Sequence, residues 1–220
     1  MATARDNILG RVRAALGRRA RDERALAAAQ AYIAAHAQGP RPKVAGDLVE
    51  RFMDRARDMQ STVERVEERG EIPRRVARYV NGLAAASSAE SSRSGVCWPE
   101  LADLDWADAG LHIEARPATG DDRLAVTGAF CAIAETGTMV ILSGAATPTA
   151  SILLPETHVA VVRRERIVAG MEDVFALLRR ERSALPRAVN LVSGPSRTGD
   201  IEQTIVLGAH GPYRVHVLVL

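Results

Sequence analysis

Three short polar runs hold the residues best suited to chemistry. Glu135-Thr136-Gly137-Thr138 sits between two apolar runs. A carboxylate there is costly to bury unpaired, so Glu135 is expected either to end a strand at a cleft or to pair with an arginine. Partial desolvation would raise its pKa and suit it to proton transfer, with Thr136, Gly137 and Thr138 as ligand-binding neighbours. The second run is Ser193–Glu202, directly after an apolar stretch. Small residues at Ser193, Gly194 and Ser196 would let a ligand approach the backbone. A helix turn opening near Thr198 would offer free N–H groups to an anion. Arg197 would grip a carboxylate or phosphate in bidentate fashion, and Asp200 would orient Arg197 or act as a base. The same residue types also make capped turns with no ligand, and an Arg so close to an Asp also makes a plain ion pair. In the third run, Gly208–Pro212, two glycines permit a sharp positive-φ turn. His210 at its tip is either a polar site residue or an exposed turn histidine.

Composition removes several other chemistries. The 220 residues carry a formal net charge of +2, with 47% hydrophobic, 25% charged and 4% aromatic residues. That is an ordinary globular balance, too weakly basic and too poor in aromatic rings for a stacking nucleic-acid platform. Lys43 is the only lysine, so Schiff-base chemistry has almost no candidate. Cys97 and Cys131 are far apart and the histidines share no ligand spacing, so neither a zinc site nor an iron–sulfur ligand set is expected in this chain. Cys131, inside an apolar run, reads as a small core residue. No dinucleotide fingerprint, P-loop or nucleophile elbow occurs. No run of 18 apolar residues occurs and the N-terminus leads into polar helix, so no membrane span is expected and the cytoplasm is the default location.

The elements that must position the polar runs follow from periodicity. Ile8 to Leu16 and the Ala-rich stretch around Leu26, Tyr32 and Ile33 read as helices, ended by Gly39-Pro40-Arg41-Pro42. Val44, Leu48, Val49, Phe52, Met53, Ala56, Met59, Val63 and Val66 step by threes and fours, which predicts one long helix to about Gly70. Pro73 fits the first turn of another helix carrying Val76, Tyr79, Val80 and Leu83. Ala84–Gly95 reads as a loop. After it the period changes: Leu111 to Ala115, Val126–Ala134, Met139–Leu142, Val159–Val162, Ala188–Val192, Thr204–Leu207 and Tyr213–Leu220 read as strands. Glu172–Arg182 reads as a helix with Val174, Phe175, Leu177 and Leu178 inward. The expected class is α/β, a mixed sheet with flanking helices. The expected layout is a helical N-terminal extension over 1–86 and an α/β domain over 96–220.

The order and spacing of Thr127-Gly128-Ala129, Ala132–Thr138, Leu154-Pro155 with His158, Ser193–Glu202 and Gly208–Pro212 resembles the LUD-domain, or lactate-utilisation, family. The match is good from Ala125 to Leu220 and loose over the N-terminal helices. Gly199 departs from the alanine common there, which removes no functional group. The resemblance implies a fold like the sugar-phosphate isomerase and CoA-transferase group. It also implies a part in oxidising L-lactate to pyruvate, beside iron–sulfur partner subunits that carry the clusters, with no cofactor in this chain. Two readings of the chain's own role stay open: a cluster-free subunit of a lactate-oxidising complex, or a stand-alone enzyme or binding module for a small anionic ligand.

Overall fold

In the computed structural model the described residues are 3–17, 22–84, 93–201 and 204–220, with the backbone path alone for 84, 199–201 and 204–206. Contacts divide the chain into two units, 1–42 and 43–220. The first holds α1 (Ala4–Ala15), opened by a Thr3/Asp6 capping box, and α2 (Glu23–Ala35), capped by Asp22. Neither helix buries a residue. His36 ends α2 in the left-handed region just before the Gly39–Pro42 breaker.

The second unit carries α3 (Leu48–Asp58), α4 (Ile72–Ala84), α5 (Ala150–Leu153) and α6 (Met171–Glu181). Its strands are β1 (Thr62–Arg65), β2 (Ser94–Cys97), β3 (His112–Ala115), β4 (Leu124–Gly128), β5 (Cys131–Ile133), β6 (Thr138–Leu142), β7 (Thr157–Val162), β8 (Ile167–Val168), β9 (Val189–Val192), β10 (Arg197–Ile201), β11 (Thr204–Leu207) and β12 (Arg214–Val219). Six of them form a central sheet in the order β1-β12-β7-β4-β2-β3, parallel at every pairing. Strands covered on both faces read as unbroken apolar runs, as β4 and β7 do. One core cluster joins α3 to the inward faces of β12, β7, β5 and β6, with Phe52 fully buried. Another packs α4 and the segment around Leu101, Trp106 and Leu111 on the other face. A second sheet, β8-β5-β6-β9, is parallel at β8/β5 and antiparallel elsewhere, and α6 covers its outer side. The α/β class with a parallel-rich sheet and flanking helices is therefore as expected.

Several boundaries differ. The long helix ends at Asp58: Gln60 takes a φ of 67°, and Ser61 N–H returns to the Ala56 carbonyl at 2.9 Å. The next residues become strand β1, and Val63 and Val66 keep a helix-like spacing from Met59 only by coincidence of step. The sheet takes β1 as its edge, so α3, β1 and α4 belong to the same compact unit as the later strands, and the expected break between 86 and 96 falls inside it. Residues 85–92 of the expected loop lie outside the described residues, while Ser94 and Gly95 are strand, not loop. The apolar run Val126–Ala134 is two strands in two sheets. Ala129 N–H bonds Val161 O at 3.0 Å and Phe130 N–H bonds Val140 O at 2.9 Å, so the chain changes sheets between them. Phe175, expected inward, is exposed, whereas Val174, Leu177 and Leu178 are buried.

Candidate functional site at the amino edge of the central sheet

The antiparallel return of β5 into β6 places Glu135–Thr138 beyond the amino ends of the central strands, against the C-terminal turns of α3. Gly137 takes a φ of 67° with its Cα pressed on the α3 backbone; a Cβ there would stand 2.3 Å from Ala56 N. Strand β9 pairs with β6 and delivers Ser193 to the same place. Gly194, at a φ of 80°, is pressed on the end of α3, where a Cβ would stand 1.9 Å from Met59 O. Glycine is required at both positions by conformation and by closeness.

The first two predicted runs thus meet. Thr136 Oγ1 lies 2.6 Å from Thr138 Oγ1, which lies 2.7 Å from Ser193 Oγ. Three hydroxyls bring three protons and the two bonds use two, so one O–H of the three is left over. Thr138 is buried; Thr136 and Ser193 are exposed. Glu135 stands half-buried at the start of this turn, its N–H on Ala169 O at 3.1 Å, and its carboxylate has no ion-pair partner among the described residues.

The third run joins through Ser196. Its N–H bonds Pro212 O at 2.7 Å, its carbonyl accepts Gly208 N–H at 2.9 Å, and its hydroxyl accepts His210 N–H at 3.3 Å. Gly208 turns the chain with a φ of 79°, and His210 is exposed at the tip. Ser196 therefore serves the loop's backbone. Thr198 opens no helix turn. Arg197–Ile201 is a strand, paired antiparallel with β11 with a register shift between Thr198 and Ile201, so its N–H groups serve a ladder. Arg197 is exposed opposite Leu207. The Asp200 side chain and Glu202 lie outside the described residues.

Sequence reasoning missed the neighbours of this loop. Tyr213 O–H donates to Glu156 Oε2 at 3.0 Å, Arg123 also pairs with Glu156, and the Arg214 guanidinium stacks 4.2 Å from the Tyr213 ring centre. Burial first, then the Glu156 bond, holds the Tyr213 phenol above its usual pKa. The signal was faint, because these residues come together only through β7 and β12 pairing in parallel. His158, from the resemblance motif, is a fully buried strand residue whose Nε2 lies 2.8 Å from Thr127 Oγ1. Both cysteines are buried, and burial pushes their thiols up, Cys97 to about 11 and Cys131 to about 12. No cluster of three metal-ligating side chains occurs among the described residues, and no described helix is long and apolar enough to cross a membrane.

A parallel central sheet, a smaller mixed sheet and a polar strip of three loops at the amino edge define an α/β domain of one recognisable class. The chain belongs to the LUD domain family, whose model matches residues 49–220. It is 31% identical over 127 residues to lactate utilization protein C of Bacillus licheniformis, which covers 56% of this chain and 53% of that protein. Against lactate utilization protein C of Halalkalibacterium halodurans it is 35% identical over 100 residues, 44% of each. The chain thus spans about half the length of the curated relatives it matches. A crystal structure of a DUF162 family protein from Deinococcus radiodurans matches the fold with a TM-score of 0.52 at 24% identity, over 81% of this chain and 99% of that one.

Proposed function

We propose that this chain serves lactate utilisation as a subunit that carries no iron–sulfur cluster of its own and works beside partners that do, in the oxidation of L-lactate to pyruvate. The observation that carries the reading is the similarity to lactate utilization protein C in two bacteria over about half of each chain. The buried, high-pKa thiols of Cys97 and Cys131 support the division of labour, because a cluster ligand must be a thiolate. In this reading the strip of Glu135, Thr136, Thr138 and Ser193 is the working surface, with the spare hydroxyl proton and the Glu135 carboxylate as its donor and acceptor. Arg197, Asp200 and His210 stay assigned to the same surface. The test is affinity purification of the tagged chain from lactate-grown cells, with iron and sulfide assayed in the eluate. Co-purified iron–sulfur proteins are expected; a chain that elutes alone from cells oxidising lactate overturns the partnership.

A further inference from the structure

The opposite, carboxyl edge of the central sheet holds a cleft of about 580 Å³ whose walls include Trp98, Glu100, Gly128, Phe130, Arg163 and Arg182. A hollow of about 320 Å³ beside it shares Glu100, Gly128 and Arg163. Open parallel sheets take ligands at this edge, where the loops leaving the strands diverge. None of the three polar runs reaches it.

Its chemistry is specific. Trp98 follows β2 and is only 4% exposed, yet its indole N–H has no acceptor among the described residues. The other tryptophan behaves differently: the Trp106 N–H is bonded to Leu101 O at 3.0 Å. A buried donor left unmade is costly, and Trp98 is also one of the residues that line the cleft. Arg166 is fully used, bidentate to Glu181 at 2.8 and 2.9 Å and through Nε to Phe130 O at 2.9 Å, so it forms a fixed wall. Arg163, just past β7, and Arg182, 5.6 Å from the Phe130 ring centre, pair with no carboxylate among the described residues. Glu100 lies against Gly128 so closely that a Cβ there would stand 1.8 Å from Oε1. Arg69 bonds the Glu100 carbonyl at 2.7 Å and spends its charge on Asp103, so the Glu100 carboxylate stays available.

We propose that this cleft binds a small organic anion that also carries a hydroxyl. Arg163 and Arg182 hold the anionic group, Trp98 donates to one of its oxygens, and the Glu100 carboxylate accepts from the hydroxyl. A bare anion would meet Glu100 as a like charge, whereas a neighbouring O–H turns that contact into a hydrogen bond. Hydroxycarboxylates and phosphorylated alcohols share this chemistry. L-lactate belongs to the first of these classes, so the inference overlaps the lactate reading in ligand but not in place: it rests on the opposite edge of the sheet and is read by direct binding, and its failure leaves that reading standing.

The test titrates D-glycerate, glycerol 3-phosphate and inorganic phosphate into the full chain, following tryptophan emission and calorimetry. At least one hydroxy-anion is expected to saturate at millimolar concentration or below, and the better of the two identifies the source. Trp98→Phe should abolish the emission change, because Trp106 is tied into the core. Arg163→Ala, at an exposed position, should keep the melting temperature and weaken binding about ten- to hundredfold. Glu100→Gln should weaken the hydroxy-anion and strengthen inorganic phosphate. Absence of saturation with any titrant, an Arg163→Ala affinity equal to that of the parent, or phosphate binding as tightly as the hydroxy-anions each overturns the proposal.

Discussion

Mild acid should destabilise this protein through two histidines inside the central sheet. His158 is wholly buried, with Nε2 2.8 Å from Thr127 Oγ1 and no partner for Nδ1 among the described residues. His216 is 4% exposed, with Nδ1 2.8 Å from Thr62 Oγ1, its ring stacked on Tyr79 at 4.1 Å, and Nε2 similarly without a partner. Burial pushes both rings down from 6.5 to about 4. The unfolded chain then binds protons first, so the contribution is full above about pH 6.5 and is lost as the pH falls from there toward 4. The gap, at about 1.4 kcal/mol per pH unit, comes to roughly 3 kcal/mol per ring at pH 4, and about 2 kcal/mol per ring by pH 5. Against a usual total of about 5–15 kcal/mol, two rings together remove a large share. Asp122 does not mask the effect: Arg116 holds its carboxyl down at about 2, so its contribution is lost as the pH falls from 3.8 toward 2, below this window. Urea unfolding at pH 7, 6 and 5 should lose about 4 kcal/mol across the range, with both imidazole resonances unmoved above pH 5. A stability that is flat between pH 7 and 5, or a buried ring that titrates near 6.5, would show that burial does not hold the two rings neutral.

Gly194→Ala should cost more than the roughly 1–2 kcal/mol of a left-handed alanine, because its Cβ also meets Met59 O; chemical denaturation at the parent's level would contradict the packing of β9's exit on α3. Phe52→Ala should cost about 3–5 kcal/mol by the same measurement, given full burial between α3 and both sheets; a loss under about 1 kcal/mol would place Phe52 outside the core. Glu135→Gln should melt with the parent protein yet fail to restore lactate-dependent growth. Normal complementation would make Glu135 a bystander.

Much of the fold was legible because most elements obey their own period. Helices α1, α2, α4 and α6 and strands β7, β9, β11 and β12 lie close to where spacing put them. The helix expected to reach Gly70 failed at Gln60, which holds a left-handed φ without being glycine and so gave no stop signal. The split at Gly128 was hidden because both halves of the run are apolar, and only the change of partner strand separates them. The meeting of Thr136, Thr138 and Ser193 was half legible: the runs stood out as polar breaks, but their convergence depends on β9 pairing with β6. The strand at Arg197–Ile201 was missed because Gly and Asp within it read as turn. The carboxyl-edge cleft gave almost no signal. Trp98 and Glu100 share one segment, but Arg163 and Arg182 come from two others, and only the sheet edge brings them together.

The proposed role in lactate utilisation is read from L-lactate consumption. Cells of the encoding organism that lack this chain, supplied with L-lactate as sole carbon source, should neither deplete it nor grow, and re-expression of the full chain should restore both. Depletion of L-lactate at the parental rate in the deleted strain would exclude this role.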